Sequence, residues 1–302
     1  MTAAQGTRTQ LTQIAEVTAG TTPATPEMIE VPFVTHSLRL DKDQVEEQTL
    51  YADRLPRNDR HGNRRTLGDI SVEMRADDYD FLLESMLFNV FATGVLNNGV
   101  TQRFFTLEDG ATDISEYRVH RGVSVSQARF SIQPNSNINA TFTLIGLTTA
   151  ANASTPLDAT PTAASGSEPF DSFSGTLSDS VGGLATVTSF DITINNGVSP
   201  VFVVGSPTAP CLEYGKSIVS GTLTFLYQDE TFINRFVNEE ETSLSIVMAG
   251  PSGGTSYTLF LPRIKINGAA TEVSGPATRL IQAPFVALRD STAATQVRIT
   301  KA

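Results

Sequence analysis

Three histidines and one cysteine are the residues of this chain best suited to metal binding or nucleophilic chemistry. His36, His61 and His120 have no cysteine or acid at the spacing of metal ligands, so the sequence predicts no metal site. Cys211 follows Pro210 in a predicted turn, and we interpret it as a passive thiol. A single cysteine also excludes an internal disulfide framework.

Paired acids offer a second route to catalysis. Asp77-Asp78 and the run 239–241 could act as glycosidase carboxylates, but each flanks a predicted helix, where caps and solvated faces explain them. Asp41-Lys42-Asp43 resembles the start of a calcium loop, yet it lacks the glycine at the sixth position and has Ala52 at the twelfth. Nucleophile-elbow, phosphate-loop and dinucleotide motifs are also missing. We therefore predict no catalytic residue and no cofactor, and we expect a protein that is not an enzyme.

Composition narrows the remaining classes. The 302 residues carry 21 basic and 32 acidic side chains, a formal charge of −11, which argues against a protein that binds nucleic acid by neutralising phosphates. An apolar fraction of 40%, with 22 glycines and 15 prolines, favours strands joined by many turns. The chain shows neither a signal peptide nor a membrane-spanning apolar run, so we expect it to be made in a reducing cytoplasm.

Several predicted elements would position any functional surface. Residues 1–30 are rich in Thr, Ala, Gln and Pro and predict an extended arm. Alternating strands begin at Val31, and a long polar loop, Asp41–Leu67, carries five of the twelve arginines of this half. A strand at Asp69–Arg75 precedes a helix over Asp77–Val90, whose apolar residues recur every three or four positions.

The second half repeats this order of elements. Gly221–Tyr227 predicts a strand and Asp229–Asn238 a short helix, about 153 residues after their counterparts in the first half. We therefore predict an N-terminal arm (1–30), a first β module (31–148), a linker rich in Ala, Thr, Ser and Pro (149–169) and a second β module (170–302).

Several stretches carry a resemblance to a known family: residues 13–26, Asp53-Arg54, 68–73 leading into 79–83, 173–175, 187–189 and 261–265. They resemble the major tail tube proteins of long-tailed, non-contractile bacteriophages of the siphovirus type. The resemblance covers most of the chain. It implies a mainly β fold with two tandem tube-like sandwich or barrel modules, each with one short flanking helix.

The resemblance further implies a virion protein of the tail, assembled in the host cytoplasm, whose rings stack into a tube with a β-lined pore. Family rings have sixfold or pseudo-sixfold geometry. Three chains would make one ring if both halves are tube modules, and six if only one is. A tape measure protein and tail-end proteins are the implied partners, while DNA passes as transient cargo and the protein contacts no membrane.

Two surfaces follow from this resemblance. The polar face of the two matching strands predicts a lumen lining, with Ile70, Val72, Leu223 and Phe225 turned to the core. The predicted lumen-facing residues are Asp69, Ser71, Glu73, Thr222 and Thr224. Together with the N-terminal arm, the long loop predicts contact with the adjacent ring. The predicted inter-ring residues are Arg54, Arg57, Asp59, Arg60, Arg64 and Arg65.

Other classes stay open on sequence alone. A decoration or adhesin β-sandwich, binding a cell-surface protein or glycan, would have a similar composition; the lack of tryptophan weakly disfavours a glycan platform. The tube of a contractile tail, or a secretion needle, would share the fold.

Overall fold

Antiparallel strands dominate the molecule, with 48% of residues in strands and 6% in helices. The computed structural model describes residues 3–55, 57–180, 184, 186–271, 275–276 and 278–302. The sheets are large and are not closed into a barrel. The mainly β prediction, with one short helix in each half, is therefore confirmed.

The strands of the first half are β1 (Thr9–Glu16), β2 (Ile29–Glu30), β3 (Thr35–His36), β4 (Arg39–Glu46), β5 (Asp59–Glu73), β6 (Val95–Asn97), β7 (Phe104–Ala111), β8 (Glu116–Ile132), β9 (Asn139–Gly146) and β10 (Thr148–Thr149). The later strands are β11 (Thr176–Asp179), β12 (Val187–Asn195), β13 (Ser199–Val201), β14 (Cys211–Glu213), β15 (Ile218–Leu226), β16 (Glu241–Met248), β17 (Tyr257–Ile266), β18 (Leu280–Ala287) and β19 (Arg298–Lys301). The helices are α1 (Asp80–Leu87) and α2 (Thr231–Val237).

One order of strand pairing occurs twice along the chain. In each half a leading strand (β4 or β12) pairs with a second strand (β5 or β15), which precedes the helix. A hairpin follows (β7–β8 or β16–β17), and the last strand (β9 or β18) returns to pair with the second. An outer strand, β1 or β11, pairs with the first strand of each hairpin. The repeated order of elements read from the sequence therefore extends to the pairings themselves.

The two repeats meet in one antiparallel sheet, which we call the long sheet. Its strands lie in the order β4, β5, β9, β8, β12, β15, β18, and β8 pairs with β12 where the halves join. The same apolar cluster contains residues of both halves, such as Phe142 and Phe285. Because sheet and core are shared, the boundaries at 31–148 and 170–302 stay a prediction.

The structure corrects the prediction of an extended N-terminal arm. Residues 9–16 form β1, which pairs with β7 over eight positions, and Leu11 is buried in the core. The stretch Thr-Gln-Leu-Thr-Gln-Ile-Ala-Glu has few apolar residues, so its strand depends on pairing with β7 rather than on its own pattern.

The predicted linker, 149–169, is irregular but tied to the first half. The Thr162 amide donates to the Met28 carbonyl at 2.8 Å, and the Leu157 amide donates to the Glu108 carboxylate at 2.8 Å. These contacts cross long stretches of sequence, which composition alone does not reveal.

Both predicted helices form, but acidic caps do not start the first one. The cap position of α1 is Tyr79, without a side-chain cap, and the face with Leu82 and Met86 is buried. Asp78 accepts a hydrogen bond from the Ser165 amide at 2.7 Å, while Asp77 pairs with Lys301. The acids expected to cap α1 therefore bind other parts of the chain.

His120 gives the fold a pH dependence. Burial, aided by Arg118 and His36, lowers the pKa of its imidazole from 6.5 to about 4. Since the unfolded chain takes up this proton at higher pH than the folded one, stability is lost as the pH falls from 6.5 towards 4. The conversion of 1.36 kcal/mol per pKa unit gives a loss of about 2 kcal/mol between pH 7 and 4.5.

We expect His120→Gln to reduce this pH dependence, measured by urea unfolding at pH 7 and 4.5. If the free energy of unfolding changed by the same amount between pH 7 and 4.5 in wild type and in His120→Gln, this result would contradict the assignment of the pH dependence to His120.

Candidate self-assembly surfaces

The predicted lumen residues of both halves lie on one face of the long sheet. Glu73 on β5 and Thr222 on β15 end a single row of directly opposed residues that runs across five strands, Glu73–Asn139–Ser131–Asp191–Thr222. Directly opposed residues point to the same side of a sheet, and strand spacing makes this row about 19 Å long. We call this side the polar face.

The opposite side of the same strands is the core. Ile70 and Val72, predicted to face inward, are 0% and 1% exposed, and Leu223 and Phe225 are 1% and 5% exposed. The alternation read from the sequence therefore assigns the two sides of these strands correctly. That the polar side borders a pore stays a prediction.

Hydroxyl and amide groups dominate the polar face, and its central carboxylates are hydrogen bonded. Thr143 donates to Asp69 at 2.7 Å and Asn137 donates to Glu73 at 2.9 Å. The Arg129 guanidinium contacts the Asp191 carboxylate at 2.9 Å across the junction of β8 and β12. This guanidinium is therefore neutralised within the chain.

The predicted long loop is a β-hairpin, which corrects the Asp41–Leu67 prediction. Strands β4 and β5 pair from Arg39–Leu67 out to Glu46–Asp59, and the described residues between them, 47–55 and 57–58, form the tip. Arg54 and Arg57 lie in the tip, whereas Asp59, Arg60, Arg64 and Arg65 lie on β5. Because the outer part of β5 has polar residues on both faces, it lacks the apolar alternation by which strands are predicted.

Some of the predicted contact residues are already engaged within the hairpin. Arg65 bridges Asp41 at 2.9 Å and Asp43 at 3.1 Å. Arg57 contacts Asp53 at 3.2 Å, and its guanidinium carbon lies 3.8 Å from the centre of the Tyr51 ring. These two arginines stabilise the hairpin and its tip.

Among the predicted inter-ring residues, three arginines are exposed and form no ion pair with any residue that the structure describes: Arg54, Arg60 and Arg64. Lys42 lies directly opposite Arg64 on β4 and is likewise exposed, so this side of the hairpin is cationic. Like charges placed opposite each other weaken a strand pair. An acidic surface on another chain would offset this repulsion.

The tip is ordered by its own hydrogen bonds and presents apolar side chains. Asn58 donates to Glu47 at 2.7 Å and Tyr51 also donates to it, and these bonds, the Tyr51 one foremost, lower the pKa of the Glu47 carboxyl. Leu50 is 96% exposed and Leu55 63% exposed. The tip thus combines apolar side chains with Arg54, which forms no ion pair with a described residue, and protein interfaces have this combination.

The sequence did not predict a contact through which the second half supports the hairpin. The Arg64 amide donates to the Pro207 carbonyl at 2.8 Å, so the loop between β13 and β14 supports β5 from the second half. Val203 and Val204 project from this loop. The prolines of this segment had indicated only a loop, and no spacing in the sequence points to a contact with the hairpin.

The residues considered for chemistry lie apart. His36 approaches Asp109 at 3.5 Å, His61 is exposed on β5, and Cys211 is exposed at the start of β14 rather than in a turn. Across the described residues, His, Cys, Asp and Glu form no group of three that could hold a metal ion. Neither helix in the described part of the chain is long and apolar enough to cross a bilayer.

Comparison with known proteins identifies a family. The model of the phage tail tube protein family matches residues 6–287, nearly the whole chain, and so includes the hairpin and the long sheet. No curated protein matches the chain. The family is a structural one and places its members in the tail of the virion. The chain belongs to the phage tail tube protein family.

Proposed function

We propose that this chain polymerises as stacked rings into the tail tube of a siphovirus-type phage, and that the polar face lines the lumen through which DNA passes during ejection. Family membership supplies self-assembly into a tube. The pore lining, the ring size and the cargo are our inference. The role requires no enzymatic activity.

The row from Glu73 to Thr222 is the observation that carries this proposal. The lumen-facing residues predicted in the two halves lie on one side of a single sheet, and the other side of this sheet faces the core. A sheet with one polar and one buried side can border an aqueous channel without exposing its core.

The chemistry of this face suits passage rather than binding of DNA. Hydroxyls and amides keep water at the wall, and the carboxylates of Asp69 and Glu73 repel phosphates. The Arg129 guanidinium is paired with Asp191 and is not free to hold a phosphate. A duplex would therefore meet a hydrated surface on which the central cation, Arg129, is paired with a carboxylate.

The repeated pairing order supports a ring of three chains. If each chain supplies two equivalent sets of strands, three chains give the pseudo-sixfold geometry of the family resemblance. The hairpin tip, with Arg54, Leu50 and Leu55, would contact the adjacent ring. A tape measure protein inside the tube and proteins at its two ends are the further partners that we propose.

Negative-stain microscopy of the concentrated protein, combined with mass measurement per ring, tests this function. We expect tubes whose rings each contain three chains of 32.4 kDa. Rings of six chains would overturn the three-chain arrangement. A protein that stays discrete at all concentrations would contradict the proposed function and favour a decoration or adhesin role.

A further inference from the structure

The junction between the two repeats is a template for a junction between two chains. Within the chain, β8 and β12 pair antiparallel over six positions, from Gln127–Asn195 to Ile132–Phe190. The long sheet then ends at two edges. One edge is the outer side of 36–41, and the other is the segment 268–271 that follows β17.

The first edge, residues 36–41, has the same position in the first repeat that β12 has in the second. Gly68 on β5 and Gly221 on β15 are equivalent in the repeat, and each lies against the neighbouring leading strand. Gly221 is opposite Ile192, while a Cβ on Gly68 would meet the Leu38 backbone at 2.6 Å. Residues 36–41 therefore stand where 190–195 stand in the second repeat.

The second edge corresponds to the end of β8. Thr141 on β9 and Gln282 on β18 are equivalent in the repeat, because they lie opposite the equivalent residues Ser71 and Thr224. Arg129 on β8 pairs with Thr141, and Ala270 pairs with Gln282 in the same way. The sides of the sheet that these residues face also agree. Ala269 packs against the core as Ala128 does, whereas Ala270 is exposed. Residues 268–271 therefore stand where 127–130 stand in the first repeat.

Both edges direct backbone groups outward in the positions required for pairing. The Ser37 amide donates to the Asp69 carbonyl at 2.9 Å, so by alternation Leu38 and Leu40 turn their backbone groups away from β5. The amide and carbonyl of Ala270 bond Gln282 at 3.0 and 3.1 Å. By the same alternation, Ala269 and Thr271 direct their backbone groups outward.

We infer that a second copy of this chain pairs its residues 38–41 antiparallel with residues 268–271, in the register of the β8–β12 junction. Leu40 then lies opposite Ala269 and Arg39 opposite Ala270, and the long sheets join into one ring. This inference rests on the proposed function and assigns the residues of its lateral contact. This pairing also leaves neither edge of the long sheet exposed, and exposed strand edges are sites of aggregation.

Charge at this junction supports the same register. In the internal junction, Asn196 follows β12 and donates to the Met86 carbonyl at the end of α1 at 2.7 Å. The equivalent of Asn196 is Lys42. Phe88 after α1 and Glu239 after α2 are the left-handed residues that follow the two helices, so the equivalent of Met86 is Val237. The acidic run 239–241 begins two residues after Val237. Glu239 pairs with Lys265 and Glu241 with Arg263, whereas Glu240 forms no ion pair with a described residue. Lys42 of one copy would therefore approach Glu240 of the next, which offsets its repulsion from Arg64.

Disulfide trapping in assembled tubes tests the register. In a Cys211→Ser background, we expect Arg39→Cys combined with Ala270→Cys to give inter-chain disulfides on oxidation with diamide, because opposed residues of this kind have Cα atoms about 4.5 Å apart. The control is Thr35→Cys with Ala270→Cys, whose first cysteine lies on the same edge and face but four residues away. We expect at least tenfold more cross-linked chain in the first variant, read on a non-reducing gel.

The outcomes separate this inference from the proposed function. Tubes without preferential cross-linking of the Arg39→Cys chain would overturn the register and leave the tube role standing. Chains that form no tubes before any substitution would overturn both. If the cysteine variants do not assemble, Lys42→Glu should lower tube yield at least tenfold and Glu240→Lys in the same chain should restore it. Failure of that restoration would contradict the junction.

Discussion

Replacing Arg54 and Arg64 together with glutamate will leave folded subunits that do not polymerise into tubes. Both guanidinium groups are exposed on the hairpin and lack an ion pair among the described residues. Reversing them presents carboxylates to a neighbouring chain that itself carries a charge of −11, so attraction becomes repulsion. The fold should tolerate Arg64→Glu, since the new carboxylate would lie opposite Lys42. Substitutions at exposed positions usually change the free energy of unfolding by less than about 0.5 kcal/mol.

Thermal unfolding and negative-stain microscopy measure the two halves of this prediction. The melting temperature should stay near that of wild type while tubes disappear. Arg118→Glu with Arg289→Glu makes the same change in net charge on residues outside the hairpin and the N-terminal arm, and this variant should still give tubes. Tubes of normal length from the hairpin variant would refute its role in stacking.

Gly221→Val will cause the largest loss of stability among single changes considered for this chain. A Cβ at this position would lie 2.4 Å from the Asp191 carbonyl oxygen and 2.5 Å from the Phe285 ring, so β12 or β18 must shift. Overpacking of this kind costs about 3 kcal/mol. Because Gly221 lies between β12 and β18 in the long sheet, the shift would also displace Thr222 and Thr224 on the polar face.

Urea unfolding at neutral pH measures this cost. Gly6→Ala is the control, since a Cβ there meets nothing within 4 Å, and its stability should match wild type. Gly68→Val should behave like Gly221→Val, because Gly68 is the equivalent residue and approaches the Leu38 backbone. Wild-type stability for Gly221→Val would contradict the close packing of β12 on β15.

The two sides of the sheet could be predicted because burial repeats every second residue. On β5, Ile70 and Val72 alternate with Ser71 and Glu73, and the apolar members enter the core. Helix α1 could be predicted for a related reason, since Leu82, Leu83 and Met86 share one face. In these elements the local pattern and the tertiary burial agree.

The hairpin, β1 and the linker contacts could not be predicted, because their structure depends on distant partners. Residues 59–64 on β5 are polar on both faces and are held by β4 and by Pro207, which is more than 140 residues away. The pairing of β1 with β7 likewise spans about a hundred residues. The same limit applied to the meeting of β8 and β12, which places both sets of predicted lumen residues on one sheet.

The central claim is that the polar face of the long sheet lines the pore of the tube. A cryo-electron microscopy map of assembled tubes, at a resolution that shows side chains, tests it most directly. We expect rings of three chains with Asp69, Glu73 and Thr222 facing the lumen and with the row between Glu73 and Thr222 continuous along its wall. A lumen bordered by Ile70 and Val72, or by any surface outside the long sheet, would contradict the account.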